Sequence, residues 1–173
     1  GQLLSSREDI FDTGFIDEMK KLRDKVKDVP YSEVEQVIKD SLGKPIDDIF
    51  LEIDKKPIGT ASIGVAFKGV LKSGEDVVIK VRRPNIEKMI GTDFSIMLFL
   101  IGQLERASKE IKYLGLSRIL KDFSASLQTE LNFNMEALNC QRFKENLDSR
   151  DKNQIFYVPK IYNEYTSEEV LVM

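Results

Sequence analysis

The segment running from Lys56 to Lys80, KPIGTASIGVAFKGVLKSGEDVVIK, decides how the rest of the chain is read. VAFKGVL and DVVIKV are β-type runs, and the KSGED between them is a hairpin turn signal. A third run, IFLEI from Ile49, precedes them and is joined through KKPIGTASIG. The outline is a strand, a tight phosphate-facing loop, a second strand, a turn and a third strand ending in Lys80. The loop carries Thr60, Ala61 and Ser62 where a phosphate cradle ordinarily has glycines. Glycine lets backbone N–H groups turn toward phosphate and reach positive φ without strain. Alanine and threonine remove much of that freedom, so this loop should be stiffer and hold phosphates differently.

The chain of 173 residues suffices for one well-cored domain, or for a compact domain with an appendage. With 42% hydrophobic and 32% charged residues it has the composition of a soluble globular protein and not of a disordered one. A net charge of -3 gives no bulk reason to bind nucleic acid, although 26 basic residues leave room for a local positive pocket. The chain has no histidine and one cysteine, Cys140. Zinc sites of the Cys/His type, imidazole-dependent triads and internal disulfides are thereby excluded, and no metal ligand set is assigned to this chain. Cys140 sits in a helical pattern and reads as a small buried hydrophobe, with a reactive thiol as the alternative. The lack of disulfides fits a reducing, cytoplasmic setting.

The most apolar run, IMLFLIG from Ile96 to Gly102, is far shorter than the ~20 residues a bilayer span requires. It reads as the buried part of a helix, and a lipid- or partner-facing patch over Ile96 to Leu104 competes with that reading. Both ends look cut: the chain opens on Gly1-Gln2 inside a helical pattern and closes on EEVLVM inside an apolar strand. The expectation is a piece of a longer protein.

Four zones follow along the chain. Residues 1 to about 43 read as helices, with a break near Gly14. Pro30, Ser32 as N-cap and Glu35 three residues later form a capping box for a helix that Gly43 closes. The strand zone covers Ile49 to Val81. Pro84 opens a helical zone, with one helix from about Asn85 to Ile111 and another from Ser117 to about Leu147, separated at Gly115. In the second, Leu116, Leu120, Phe123, Leu127, Leu131, Met135 and Leu138 form one apolar stripe at three- and four-residue steps. QIFYVPKIYNEY and EEVLVM then read as two strands around a turn.

Lys80 at the end of VVIK matches the kinase V-A-I-K pattern in residue type. Alone the match is weak, because a lysine in a β-hairpin is usually a solvated edge charge. A strand lysine that serves a site needs a carboxylate to hold its charge and orientation. Asn132, Glu136 and Asn139 in TELNFNMEALNCQRF share one helix face beside the apolar stripe, with Glu130 on its flank, and a plain solvated boundary is the competing reading.

Taken together, four ordered motifs resemble the UbiB/AarF family of atypical, protein-kinase-like proteins, known for a part in ubiquinone biosynthesis. That family has a K-x-G-Q motif on an N-terminal helical extension, an alanine-rich loop P-I-A-A-A-S-I-G-Q-V, V-A-V-K-V-x-R-P, and E-x-D followed by E-A-x-N-x-x-R-F. This chain has GQLLSSR at its start, PIGTASIGVA at 57 to 66, VVIKVRRP at 77 to 84 and ELNFNMEALNCQRF at 130 to 143. Three departures stand out. The K-x-G-Q lysine would precede Gly1, the E-x-D aspartate position is Asn132, and the loop has Gly59 and Thr60 in place of its first two alanines.

The resemblance implies an α+β fold, a kinase-like N-lobe of a five-stranded antiparallel sheet with helix C from Ser117 packed on it. Residues 1–46 would be the N-terminal helical extension and 47–173 the N-lobe, with a helical insert at about 85–115 and the C-lobe outside this chain. It implies that Lys80 is the nucleotide-phosphate lysine and Glu136 its helix-C partner, and that Gly59, Thr60, Ala61 and Ser62 cover the phosphates. Gln2 of K-x-G-Q would meet Glu130 and Asn132 of E-x-D over the active site. The cofactor implied is ATP or ADP with Mg²⁺ held by the C-lobe, so that this chain alone should be inactive. ATP hydrolysis or phosphorylation of a small or lipid-like molecule is implied in place of protein phosphorylation, with peripheral membrane association of the full-length protein. A non-catalytic, pseudokinase-like scaffold is the alternative.

Overall fold

The computed structural model describes residues 14, 29–148 and 156–173. The elements are α1 (Tyr31–Leu42), α2 (Ile46–Ile49), β1 (Phe50–Ile53), β2 (Gly59–Thr60), β3 (Gly64–Leu71), β4 (Asp76–Arg82), α3 (Ile86–Ala107), α4 (Lys109–Leu114), α5 (Leu116–Glu130), α6 (Phe133–Asp148), a 3-10 turn (Asn163–Tyr165) and β5 (Val170–Val172). The five strands form one antiparallel sheet in the order β1-β3-β4-β5, with β2 also on β3.

The β3–β4 hairpin is its centre. KSGED closes it through Gly74 at φ 94, a backbone region where a side chain would be strained. Its register sets Ala66 opposite Lys80 and Phe67 opposite Ile79. Because side chains alternate across a strand, the two faces have different fates. Val65, Phe67, Val77, Ile79, Val81, Val170 and Val172 join Val34 and Ile38 of α1 in one buried cluster. Leu171 on the opposite face packs with Phe133 and Ala137 of α6. Each such side chain contributes about 1.5–3 kcal/mol when fully removed from water. The sheet is therefore covered on both sides, by α1 behind and by α6 in front.

The edge beyond β3 is interrupted. Asp54 N–H donates to Lys68 O and Ile58 N–H to Ala66 O, so the chain leaves the ladder over Lys55, Lys56 and Pro57 and returns as β2. At the opposite edge, the outward groups of β5 are met locally. Val170 N–H donates to Ser167 Oγ and Val172 N–H to Thr166 Oγ1, while Val170 O and Val172 O accept from Ser167 and Tyr162 N–H.

Several expectations need correcting. The fifth strand is β2, not QIFYVPKIYNEY: among the described residues 156–162 have no strand, and Pro159, which lacks an N–H, interrupts the run. One backbone bond, Tyr162 to Val172, is what that pairing amounts to. The helix closed by Gly43 (φ 62) starts at Tyr31 with Pro30 at the N-cap and without a side-chain cap, so the Ser32 box does not form. Ser117 does not cap its helix either; its N–H and hydroxyl both donate to Glu105, and the capping serine is Ser108, on α4.

The helix packed on the sheet begins at Phe133, not Ser117. Asn132 accepts a hydrogen bond from Asn134 N–H, starting a new helix and dividing the apolar stripe. Leu131 and Phe133 flank the break and are both buried, whereas Phe123 on α5 is 57% exposed and meets Phe94 of α3. Ile96, Phe99, Leu100 and Leu104 are each at least half exposed, which overturns the reading of that run as core. The physical reason is that α3 packs chiefly against α4 and α5, and not on the sheet. Among the described residues no helix is long and apolar enough to cross a membrane. The N-terminal helices lie outside the described residues apart from Gly14, whose backbone is helical.

Candidate functional site

Lys80 reaches its position because β4 alternates, turning Val77, Ile79 and Val81 to the α1 side and Lys80 to the α6 side. Glu136 is held by the first turn of α6, one turn beyond the buried Phe133. Lys80 Nζ donates to Glu136 Oε1 at 2.6 Å and to Oε2 at 2.7 Å. The side chains are 33% and 39% exposed, so solvent screens the pair and its value lies in orientation more than in stability. The ammonium also stands 5.2 Å from the centre of the Phe133 ring.

The pair opens into a cavity of about 390 Å³ lined by Gly59, Thr60, Ala61, Ile63, Gly64, Val65, Ala66 and Phe133 as well. Of the four expected loop residues, Gly59, Thr60 and Ala61 line this cavity, while Ser62 is exposed at the loop tip and does not. The loop is a closed hairpin. Gly59 and Thr60 pair with Ala66 and Val65, and Ala61 N–H donates to Gly64 O at 2.8 Å. Arg83 ties the tip to the end of β4: its Nε donates to Ala61 O at 2.9 Å and its backbone N–H to Ile63 O at 2.9 Å. A donor that a glycine loop would turn toward phosphate, the Ala61 N–H, is thus already engaged. Gly64 is required for a different reason, close approach: a Cβ there would lie 3.1 Å from Val81 O and 3.4 Å from Phe133 Cζ.

A second, larger cavity of about 730 Å³ adjoins the first through Ile63 and Glu136. Glu130, Asn132, Asn139 and Cys140 line it together with Met135, Phe143, Tyr157 and Pro159. The break before α6 brings Glu130 round to the wall that Asn132 and Glu136 share, although a continuous helix would leave it on the flank. Asn132 does two things there: its oxygen caps α6, and its amide reaches Glu168 Oε1 at 3.4 Å. Gln2 lies outside the described residues. Among the described residues no group of three or more acidic or cysteine side chains is placed to hold a metal ion.

Sequence reasoning did not find Phe133, Val65 and Ala66 as walls of the Lys80 cavity. The signal was present for two of them, since Phe133 precedes Glu136 by three residues on one helix face and Ala66 is the hairpin partner of Lys80.

Residues 21–173 match the ABC1 atypical kinase-like domain, and the chain belongs to that family. It is 33% identical to a protein of Marinobacter nauticus named probable protein kinase UbiB, over all of this chain and 31% of that protein. It is 32% identical to the protein of the same name from Pseudomonas paraeruginosa, over all of this chain and 32% of that one. An uncharacterized protein of Synechocystis is 35% identical over the whole chain and a quarter (25%) of its own length. The chain therefore spans a quarter to a third of these curated relatives. Among solved structures, that of Rv3197 from Mycobacterium tuberculosis in complex with erythromycin superposes with a TM-score of 0.68 at 24% identity. It covers 99% of this chain and 42% of the other. The fold is that of a kinase-like N-lobe.

Proposed function

We propose that this chain forms the nucleotide-phosphate side of an atypical kinase or ATPase site of the UbiB type. The observation that carries the reading is the two-oxygen grip of Glu136 on Lys80 at the mouth of the smaller cavity. An ammonium fixed by a carboxylate beside apolar walls suits a polyphosphate joined to a flat aromatic base. In this reading Lys80 neutralises charge on the α- and β-phosphates, Glu136 orients Lys80, and the 59–61 segment covers them. Bound Mg²⁺ would supply further charge neutralisation, with ligands from a C-terminal lobe following the strand at Val170–Val172. This chain alone then does not turn over ATP.

The engaged Ala61 N–H and the tie to Arg83 support a stiff loop that offers the nucleotide's phosphates fewer free backbone donors than a glycine loop does. Hydrolysis, or transfer to a small or lipid-like acceptor, is the chemistry that fits, and a role in isoprenoid-quinone metabolism belongs to the same reading. The half-exposed face of α3 over Ile96 to Leu104 supports peripheral membrane association as part of it. Calorimetric titration with ATP and Mg²⁺ tests the central claim. Lys80→Ala should weaken binding about 10- to 100-fold, the worth of one or two charge-assisted hydrogen bonds. Unchanged affinity would sink it, and a Mg²⁺-dependent ATPase rate that Lys80→Ala abolishes would show that this chain needs no further lobe.

A further inference from the structure

We propose that Arg82 is a positioning residue that sets Glu136 against Lys80, an inference that rests on reading that pair as the nucleotide-phosphate site. Arg82 stands two residues beyond Lys80 on β4, so the two side chains leave the same face of the strand. Its side chain is only 9% exposed, unusual for arginine unless each end of the fork is engaged. Nη1 donates to Leu131 O at 3.0 Å, and Nη2 donates to Glu169 Oε1 at 2.6 Å and lies 3.3 Å from Glu87 Oε2.

These three partners come from three different parts of the chain. Leu131 is the last residue before the break that starts α6, Glu169 leads into β5, and Glu87 is in the first turn of α3. The carbonyl of Leu131 lies five residues before Glu136. A single strand thus carries both the amine to be met and the fork that fixes where the meeting helix begins. A second clamp acts from β5's approach, where Glu168 O accepts from Phe133 N–H at 3.1 Å. With both backbone sides of the α6 start held, rotation or withdrawal of Glu136 from Lys80 requires Arg82 to release Leu131. Lysine at this position could satisfy one partner but not the planar fork. Glu87 adds a route by which a shift of α3 would be felt at the pair.

The test reads the pair directly and without nucleotide, on this chain. A carbodiimide joins a carboxylate and an amine only when they touch, so the yield of the Lys80–Glu136 cross-link by peptide mass spectrometry reports their contact. Arg82→Met should lower that yield several-fold at equal circular dichroism, and Arg82→Lys should recover part of it. Glu169→Gln, which loosens the fork while leaving the arginine in place, gives a smaller loss and serves if Arg82→Met does not fold. An unchanged yield in folded Arg82→Met, or in Glu169→Gln if that variant alone folds, overturns the inference. Affinity for ATP is the second reading. Arg82→Met should weaken it in the wild-type background and leave it unaltered in Glu136→Gln, whereas equal losses in both backgrounds assign Arg82 a merely structural part and refute the proposal. If the cross-link falls as expected while the wild-type chain binds no ATP, the positioning role stands and the nucleotide reading fails.

Discussion

Phe133→Ala and Phe123→Ala form a matched pair of perturbations, because both phenylalanines belong to the apolar stripe that the sequence presents as continuous. Phe133 is 2% exposed, packs with Ala137 and Leu171, and would touch any Cβ added at Gly64. Removing a ring from so closed a position costs about 3–5 kcal/mol, transfer and cavity terms together. Phe123 is 57% exposed, and its identified ring contact is Phe94 at 5.7 Å between centroids. Its loss is that of one aromatic pair, about 0.5–1.5 kcal/mol. At roughly 2–4 °C per kcal/mol for a chain of this size, Phe133→Ala should lower the thermal midpoint by about 6–20 °C and Phe123→Ala by about 1–6 °C. Phe133→Leu, which keeps most of the volume, should cost about 1.5 kcal/mol or less. Urea titration followed by circular dichroism gives the free energies, with the slopes compared to show that the same surface unfolds in each. Equal losses, or a larger loss for Phe123, would refute the assignment of α6 and not α5 as the helix seated on the sheet.

Asn132→Ala should cost about 1 kcal/mol through loss of the α6 cap, and Asn132→Asp, which keeps the acceptor for Asn134 N–H but turns a carboxylate toward Glu168 where the amide now donates, should recover only part of that loss; chemical denaturation distinguishes the two. Gly64→Val places atoms against Val81 O and Phe133 and should cost about 1–3 kcal/mol, with weaker ATP binding as the ring is pushed into the cavity. Glu105 has its pKa lowered, first by the Ser117 N–H and then by the Ser117 hydroxyl. A carboxyl depressed on folding adds stability above its unfolded pKa that is lost as pH falls through the folded one, so Glu105→Gln should lower stability slightly at neutral pH, leave the acid end little changed and thereby flatten the limb between them. Vesicle flotation should separate Phe99→Asp from the wild-type chain if the exposed α3 face meets lipid, and equal flotation of the two removes that part of the proposal.

The sequence made some of this legible and hid the rest for physical reasons. The β3–β4 hairpin could be read because KSGED demands a turn and a residue type for it, and the turn fixes which residue faces Lys80. The meeting of Lys80 with Glu136 followed from motif order, since 56 residues separate them and no local periodicity links them. The break before α6 was hidden because Leu131, Met135 and Leu138 keep helical spacing across it, and an asparagine inside such a pattern looks like a boundary residue until its oxygen is seen to cap. Arg82 was hidden by its type: an arginine beside another arginine reads as surface charge, and burial appears only when Leu131 O, Glu169 and Glu87 converge from distant positions. The strand expected near Tyr157 failed on Pro159, a cue available in advance.

The treatment of the sheet's two borders has a consequence for how the molecule associates with others. On one border the ladder is breached by two lysines and a proline, and on the other a three-residue strand has its outward amides and carbonyls occupied by a serine, a threonine and the returning backbone. Among the described residues the β5 border offers an incoming chain no row of vacant donors and acceptors, and the β1–β2 border is short and interrupted, so extension by strand addition, including the runaway kind that builds fibrils, finds little template here. Lateral growth is thereby disfavoured along the described part of the sheet, and the helices and the cavities beneath the loop are the surfaces that stay open to other molecules.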